Sequence, residues 1–244
     1  MGRVYASSDW HGCAEPAKKL LSYLKEDDKL YFLGDAIDRG KDGIELFDLL
    51  VNDPRVVYIK GNHEQLMLNA LEDLDSDSDT WYLWYCNGGF VTFDAMDKSN
   101  VNYYRNHLKK MITQDTYISK TGNKIILDHA GFTVNKELNE YYAPEPLWDR
   151  SHFHQEWSRL PQDQNTYVVH GHTPAPYLQF TFGYAGQEKE EIKRNIDYDW
   201  TKDENYNAEI ITYCDGHKID IDLCTIVTNK VALLDLDTFE VLYF

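Results

Sequence analysis

Basic residues are scarce in this chain: 24 lysines and arginines face 41 aspartates and glutamates across 244 residues, a formal charge of −17. A field of that sign repels nucleic-acid backbones and anionic membranes unless bound cations reverse it locally, so neither is an expected partner. Long apolar runs are missing as well. Nothing reaches the ~20 residues that cross a bilayer. The opening MGRVYASSDWHG enters a strand-like segment with no stretch of signal-peptide length. A cytoplasmic protein, acting as a monomer, is expected. The four cysteines, Cys13, Cys86, Cys214 and Cys224, show no CxxC spacing, which argues against a thiolate zinc site and a disulfide scaffold and leaves reduced thiols. There is no proline-rich linker and no internal repeat, so residues 1–244 read as one domain.

What is present is an apolar share of 43%, enough for a sizeable core. Short runs rich in β-branched and aromatic residues recur, and five of them stop at a polar or metal-capable side chain: RVYASSD at Asp9, KLYFLGD at Asp35, RVVYIKGN at Asn62, NKIILDH at His129 and NTYVVHGH at His172. In layered α/β folds that end of a sheet is where sites are built. Helical patterns over 16–25, 43–50 and 64–71 alternate with the first three strands, which predicts right-handed crossovers and a largely parallel first half. A further helix is read at NVNYYRNHLKKMI, and a hairpin turning at Thr121 to Asn123. The C-terminal segment is strand-rich, with turns near Asn229 and Asp237. This order predicts two sheets packed together with helices outside. Residues 178–217 are polar and poorly patterned, and read as an insertion or flap.

SDWHG, GDAIDRG, GNHE, DHAG and HGHTP together supply oxygen and imidazole donors suited to manganese, iron or zinc. Asp9 and His11 can serve one ion, Asp35 can bridge, and Asn62, His129 and His172 can complete a second. Two divalent ions, two carboxylates and a bridging hydroxide sum to about +1, which attracts a phosphate dianion. An aspartate in place of Asn62 would cancel that surplus, which is a physical reason for the neutral amide. His63 is placed to protonate a leaving alkoxide with Asp38 holding its ring, and Arg39 and Arg150 offer forked donors to phosphate oxygens.

These motifs resemble those of the metallophosphoesterase superfamily, and more narrowly the phosphoprotein phosphatases, in their compact bacterial and phage forms and in the symmetrical diadenosine tetraphosphate hydrolases. The resemblance runs from Ser8 to Thr173 and takes in WYCNGGFVT, LWDR and a late IDID; residues 178–217 have no counterpart. It implies an α/β (α+β) four-layer α-β-β-α sandwich of the calcineurin-like type, two mixed sheets flanked by helices. It implies two metal ions on Asp9, His11, Asp35, Asn62, His129 and His172, with His63 as acid paired to Asp38, and Arg39 and Arg150 on phosphate. The chain departs from the pattern at Ser8, where relatives have glycine, at Lys41, where many have proline, and at IDIDLCT, which lacks the glycine often found after the second aspartate.

Other features read more plainly. DSDSD at 75–79 lacks the glycine and distal glutamate of a calcium loop and is a solvated acidic loop. Trp81, Tyr82, Trp84 and Tyr85 read as packing rather than a base-stacking platform. His170 is a neighbour of the ligands or a core residue, His152, His154 and His217 are solvated or locally satisfied, and His107 lies at the surface. The resulting expectation is a metal-dependent phosphomonoesterase in which a metal-bridging hydroxide attacks phosphorus directly, with serine/threonine phosphoproteins as substrates. Hydrolysis of a nucleoside polyphosphate such as diadenosine tetraphosphate is the alternative, and a binding module without turnover a third.

Overall fold

The computed structural model describes residues 2–73, 78–131, 133–135, 140–142, 147–154, 165–184, 187 and 198–244. Most of the acidic stretch at 75–79, and residues 185–186 and 188–197 of the segment 178–217, lie outside them. The chain begins β1 (Val4–Ser7), α1 (Ala14–Tyr23), β2 (Lys29–Phe32), α2 (Gly43–Asn52), β3 (Val56–Tyr58) and α3 (Asn62–Glu72). The three strands are parallel, with Tyr5 opposite Leu30 and Phe32 opposite Tyr58, as the alternation predicts. Helices α4 (Asp79–Trp84), α5 (Phe90–Ala95) and α6 (Val101–Lys110) follow. Between α4 and α5 a wide turn over Tyr85–Gly89 kinks at Gly88, where φ is 100°.

The hairpin of β4 (Gln114–Ile118) and β5 (Lys124–Asp128) turns where expected, with Gly122 at φ 86°. A small ribbon, β6 (Thr133–Asn135) and β7 (Glu140–Tyr142), precedes β8 (Thr166–His170), β9 (Ile211–Tyr213), β10 (Lys218–Asp220), β11 (Ala232–Asp235) and β12 (Val241–Tyr243). One mixed sheet has the order β12-β11-β1-β2-β3 and the other β4-β5-β8-β10-β9.

Strand residues point alternately to opposite faces, and that alternation divides the core. Ala6, Tyr31 and Leu234 of the first sheet meet Ile125, Leu127, Val169 and Ile219 of the second in one buried cluster between the sheets. Tyr5, Leu30, Phe32 and Leu233, one register step away, face outward and are covered by Leu20, Leu21, Leu46 and Leu50 of α1 and α2. Over the second sheet, Ile211 and Tyr213 pack with Phe153, Ala175 and Leu178 from short helical turns. The fold is thus mixed α/β with two facing sheets flanked by helices.

Some sequence expectations need correction. His107 is half-buried, its ring against Tyr103 (4.6 Å between centroids) and edge-on to Phe47 (6.4 Å), because α6 leans on α2 rather than facing water. His152 and His217 take the locally satisfied branch of their expectation, buried rather than solvated. His217 is satisfied locally, its Nδ1 donating to the Thr166 carbonyl at 2.8 Å. Cys224, next to the position where relatives carry glycine, adopts the left-handed conformation at φ 57°.

Leu234 is fully buried between the sheets. Replacing it with alanine is expected to lower the unfolding free energy by ~3 kcal/mol through lost transfer energy and a residual cavity, read as a shifted urea midpoint at unchanged slope.

Candidate metal centre

The site lies where loops leave the C-terminal ends of β1, β2, β3, β5 and β8. The first two loops are zipped together by backbone bonds: Asp9 N–H donates to Gly34 O, His11 N–H to Asp35 O and Gly12 N–H to Ala36 O, at 2.8–3.0 Å. These tight paths put Asp9, His11, Asp35, Asp38, Arg39 and His172 in the left-handed region, with φ between 40° and 71°. For residues with a Cβ this costs on the order of 1 kcal/mol each, and such strain gathers at functional sites.

Glu64 is the residue that the sequence underrated. α3 begins at Asn62, not at Glu64, so Glu64 occupies the third helical position and turns its carboxylate back into the protein, fully buried. One oxygen accepts the Gly61 and Asp35 N–H groups (2.9 and 2.8 Å); the other accepts the Ala36 N–H and the Tyr58 hydroxyl (3.0 and 2.8 Å). The loops that carry Asp35 and Asn62 are joined through this one side chain. Gly61 serves close approach. Its φ is −92°, open to any residue, but a Cβ there would stand 2.1 Å from Asp35 Oδ1. Gly171 is similarly constrained, with Asp9 Oδ2 at 2.1 Å from a would-be Cβ.

The six expected ligands converge. Asp35 Oδ2 lies 3.6 Å from His11 Nε2 and 3.4 Å from His129 Nε2, and belongs to both groups of donors close enough to share an ion. Asn62 Oδ1 stands 2.8 Å from His129 Nε2 and 2.9 Å from His172 Nδ1. Asp9 Oδ1 is 3.9 Å from His11 Nε2. Ser8, in the place of a glycine, hydrogen-bonds Asp9 Oδ2, which also accepts the His172 N–H at 3.1 Å. The donor group around His11 and Asp35 includes His63 rather than Asp9. His63, however, uses its Nδ1 on Asp38, whereas Asp9 Oδ1 is buried with no hydrogen-bond partner among the described residues.

Protonation states fit a cation. His11 Nδ1 donates to Ile37 O (3.0 Å) and His129 Nδ1 to Leu33 O (2.7 Å), which aims both Nε2 atoms inward. Burial drives the His11 and His172 pKa values well down and keeps their lone pairs available. Asp35 is held well below the carboxylate range: burial alone would raise it, but the imidazoles of His129, His63 and His11 outweigh that. Burial also works against protonating His129, yet Asp35 and Asp9 lift it to about 10. In the chain alone, the positive charge that these carboxylates call for sits on an imidazole. Asp9 is raised by burial and then by Asp222, a buried carboxylate that the sequence reading assigned no role. Among the described residues, an orphaned Asp9 oxygen, an orphaned His172 Nε2 and the neutral imidazoles of His11 and His172 beside an ionised aspartate fit divalent cations.

His63 and Asp38 are paired, Nδ1 donating to Oδ2 at 2.7 Å. Asp38 is fixed from behind by Trp84 Nε1 (3.0 Å) and by the Thr92 hydroxyl (2.6 Å), which in turn accepts the Asp38 N–H at 2.9 Å. Trp84 and Thr92 belong to the segment WYCNGGFVT, whose motif likeness was the available signal. Arg39 donates its terminal amines to His11 Nε2 (2.8 Å) and His63 Nε2 (3.0 Å), so its charge lies on the lone pairs facing the centre. Arg150 is exposed and uses Nε on Thr173 Oγ1 at 3.0 Å. His170 bonds Tyr213 and takes no place among the donors.

Comparison with known proteins agrees with this geometry. The profile of the calcineurin-like phosphoesterase family matches residues 2–217. A serine/threonine-protein phosphatase 2 of Salmonella typhimurium is 37% identical over 90 residues, covering 36% of this chain and 38% of that one, so the match spans about two fifths of the relative. A symmetrical bis(5'-nucleosyl)-tetraphosphatase of Pseudomonas fluorescens is 33% identical over 76 residues, 30% of this chain and 26% of that one. A cold-active protein-tyrosine phosphatase of a psychrophilic Shewanella superposes with a TM-score of 0.55 at 15% identity, over 97% of this chain and 76% of the other, and shares the fold. The chain belongs to the calcineurin-like phosphoesterase family.

Glu64→Ala is expected to destabilise the protein by ~2–4 kcal/mol, since it strands three buried backbone N–H groups. Urea unfolding measures it, and the same variant should show a smaller rise in melting temperature on adding manganese.

Proposed function

We propose that this protein hydrolyses phosphomonoesters with two divalent cations, manganese, iron or zinc, and that its natural substrates are serine/threonine phosphoproteins. The observation that carries the reading is the His63–Asp38 pair, bonded at 2.7 Å, beside two donor groups that share Asp35. When bound, the ions supply an activated water and neutralise phosphoryl charge. Asp9, His11 and Asp35 would hold one ion, and Asp35, Asn62, His129 and His172 the other. Arg39 and Arg150 orient the phosphoryl oxygens, and Asn62 contributes a donor without adding negative charge. For His63 to donate from Nε2 to the departing alkoxide, Arg39 turns from that nitrogen to the phosphoryl oxygens, while Asp38, itself held by Trp84 and Thr92, fixes the ring.

The likeness to a serine/threonine-protein phosphatase, 37% identical over 90 residues, supports phosphoproteins as the first reading. Diadenosine tetraphosphate hydrolysis is the second reading, favoured by the tetraphosphatase relative. We assign the protein to the cytoplasm as a monomer; among the described residues no helix is long and apolar enough to cross a membrane.

Rates of the manganese-loaded protein on a phosphoserine peptide, a phosphotyrosine peptide and diadenosine tetraphosphate decide between the readings. Preference for the dinucleotide would displace the phosphoprotein assignment, and no turnover of any phosphoester would remove the enzyme reading. His63→Asn should slow alkyl phosphates ~10²–10⁴-fold and aryl phosphates much less, because a stable leaving group needs no proton. Asn62→Asp should weaken phosphate inhibition more than metal affinity, measured by inhibition constants and metal titration.

A further inference from the structure

Behind the metal centre lies a polar chain that the phosphatase chemistry leaves unused. Lys218 on β10 is buried, 1% exposed, and donates from Nζ to the His152 carbonyl at 3.0 Å. The Tyr213 hydroxyl lies 3.2 Å from His152 Nδ1 and 2.8 Å from His170 Nε2, and His170 Nδ1 is 3.1 Å from Gly171 O. The Gly171 carbonyl fixes the proton order at one end of these contacts. His170 Nδ1–H must donate to the Gly171 carbonyl, so its Nε2 accepts the single Tyr213 proton, and His152 Nδ1 lies between the Tyr213 hydroxyl at 3.2 Å and Lys218 Nζ at 3.4 Å. The reverse direction would face an unprotonated Nδ1 against a carbonyl. The chain is therefore directional and ends at Gly171, whose N–H donates to His129 O at 2.9 Å and whose successor is His172.

Its other end is the turn Ser151–His154, which continues directly from Trp148, Asp149 and Arg150. Trp148 stands edge-on to His172 at 5.9 Å, Arg150 bonds Thr173, and the His152 ring occupies the space that a Cβ on Gly131 would need, with atoms at 2.5 Å from it. Among the described residues 147–154 that short turn is the one piece of regular structure, and Arg150 is held by its contact with Thr173. A buried ammonium is costly unless it is well used. Here it grips a backbone carbonyl two residues from the arginine.

We propose that Lys218, acting through His152, Tyr213 and His170, is a positioning residue that sets Arg150 for phosphate, and that it touches no substrate itself. This rests on the reading of Arg150 as a phosphate-binding residue. In the manganese-loaded protein, Lys218→Met should raise KM for a small aryl phosphate and the inhibition constant of inorganic phosphate ~5–10-fold, with kcat within about twofold, the signature of lost uniform binding. Phosphate binding by calorimetry should weaken by the same factor. In an Arg150→Ala background, Lys218→Met should add nothing further, because both changes remove one interaction. Tyr213→Phe, which keeps the ring volume, carries the same prediction if Lys218→Met fails to fold. Unchanged phosphate affinity in a folded variant, or a full additional loss in the Arg150→Ala background, would overturn the proposal while leaving the phosphatase reading intact. A wild-type protein that neither binds nor releases phosphate would remove both.

Discussion

The carboxylate of Glu64 is the constraint on which the site depends. It is a buried negative charge used up on backbone donors, holding the turn at Asp35–Ala36 to the turn at Gly61. Each of those turns leaves a different parallel strand, and neither has regular structure to hold it. Without an acceptor between them, three N–H groups would face an interior with no partner, and the ligands they carry would have no fixed separation. The glycine at 61 follows from the same geometry, since the two turns are drawn so close that a single methyl group would collide with Asp35.

That closeness explains where the strain is stored. Six of the ten residues expected at the site sit at positive φ, and none of them is a glycine. The zipped backbone bonds between the first two loops, the stacked apolar faces of both sheets and the Asp38 contacts with Trp84 and Thr92 over-determine these conformations, which is the condition under which strain persists. An unfolded or isolated loop would relax out of them. The donors are pre-aimed only because the core beneath them is complete.

The elements with strong patterns were legible from the sequence. The β-branched and aromatic runs RVYAS and KLYF marked the strands, and the helix and hairpin positions were right to within a few residues. The motif residues lie together where the loops leave the strands. What could not be read were consequences of proximity. Glu64 opens the helical pattern over 64–71, and nothing local reveals that its oxygens reach Asp35 and Ala36. The pressure on Gly61 comes from a residue 26 positions away. His152 and His217 read as solvated or locally satisfied, and burial, which the local sequence does not show, leaves the second of these. The role of Trp84 was hidden in an aromatic cluster, where hydrophobic packing accounts for the residue type but not for the indole N–H on Asp38.

The donors are divided between the sheets: Asp9, His11, Asp35 and Asn62 follow strands of one, and His129 and His172 follow strands of the other. Alignment at the rim is therefore inherited from the apolar seam in which Ala6, Tyr31 and Leu234 interlock with Ile125, Leu127, Val169 and Ile219. A slip of one residue along a strand is ~3.3 Å, comparable to the spacing between donors of the two halves. The seam thus acts as a ruler for the site, and a substitution far from any ionisable group can detune it by sliding one sheet against the other, well before the molecule unfolds.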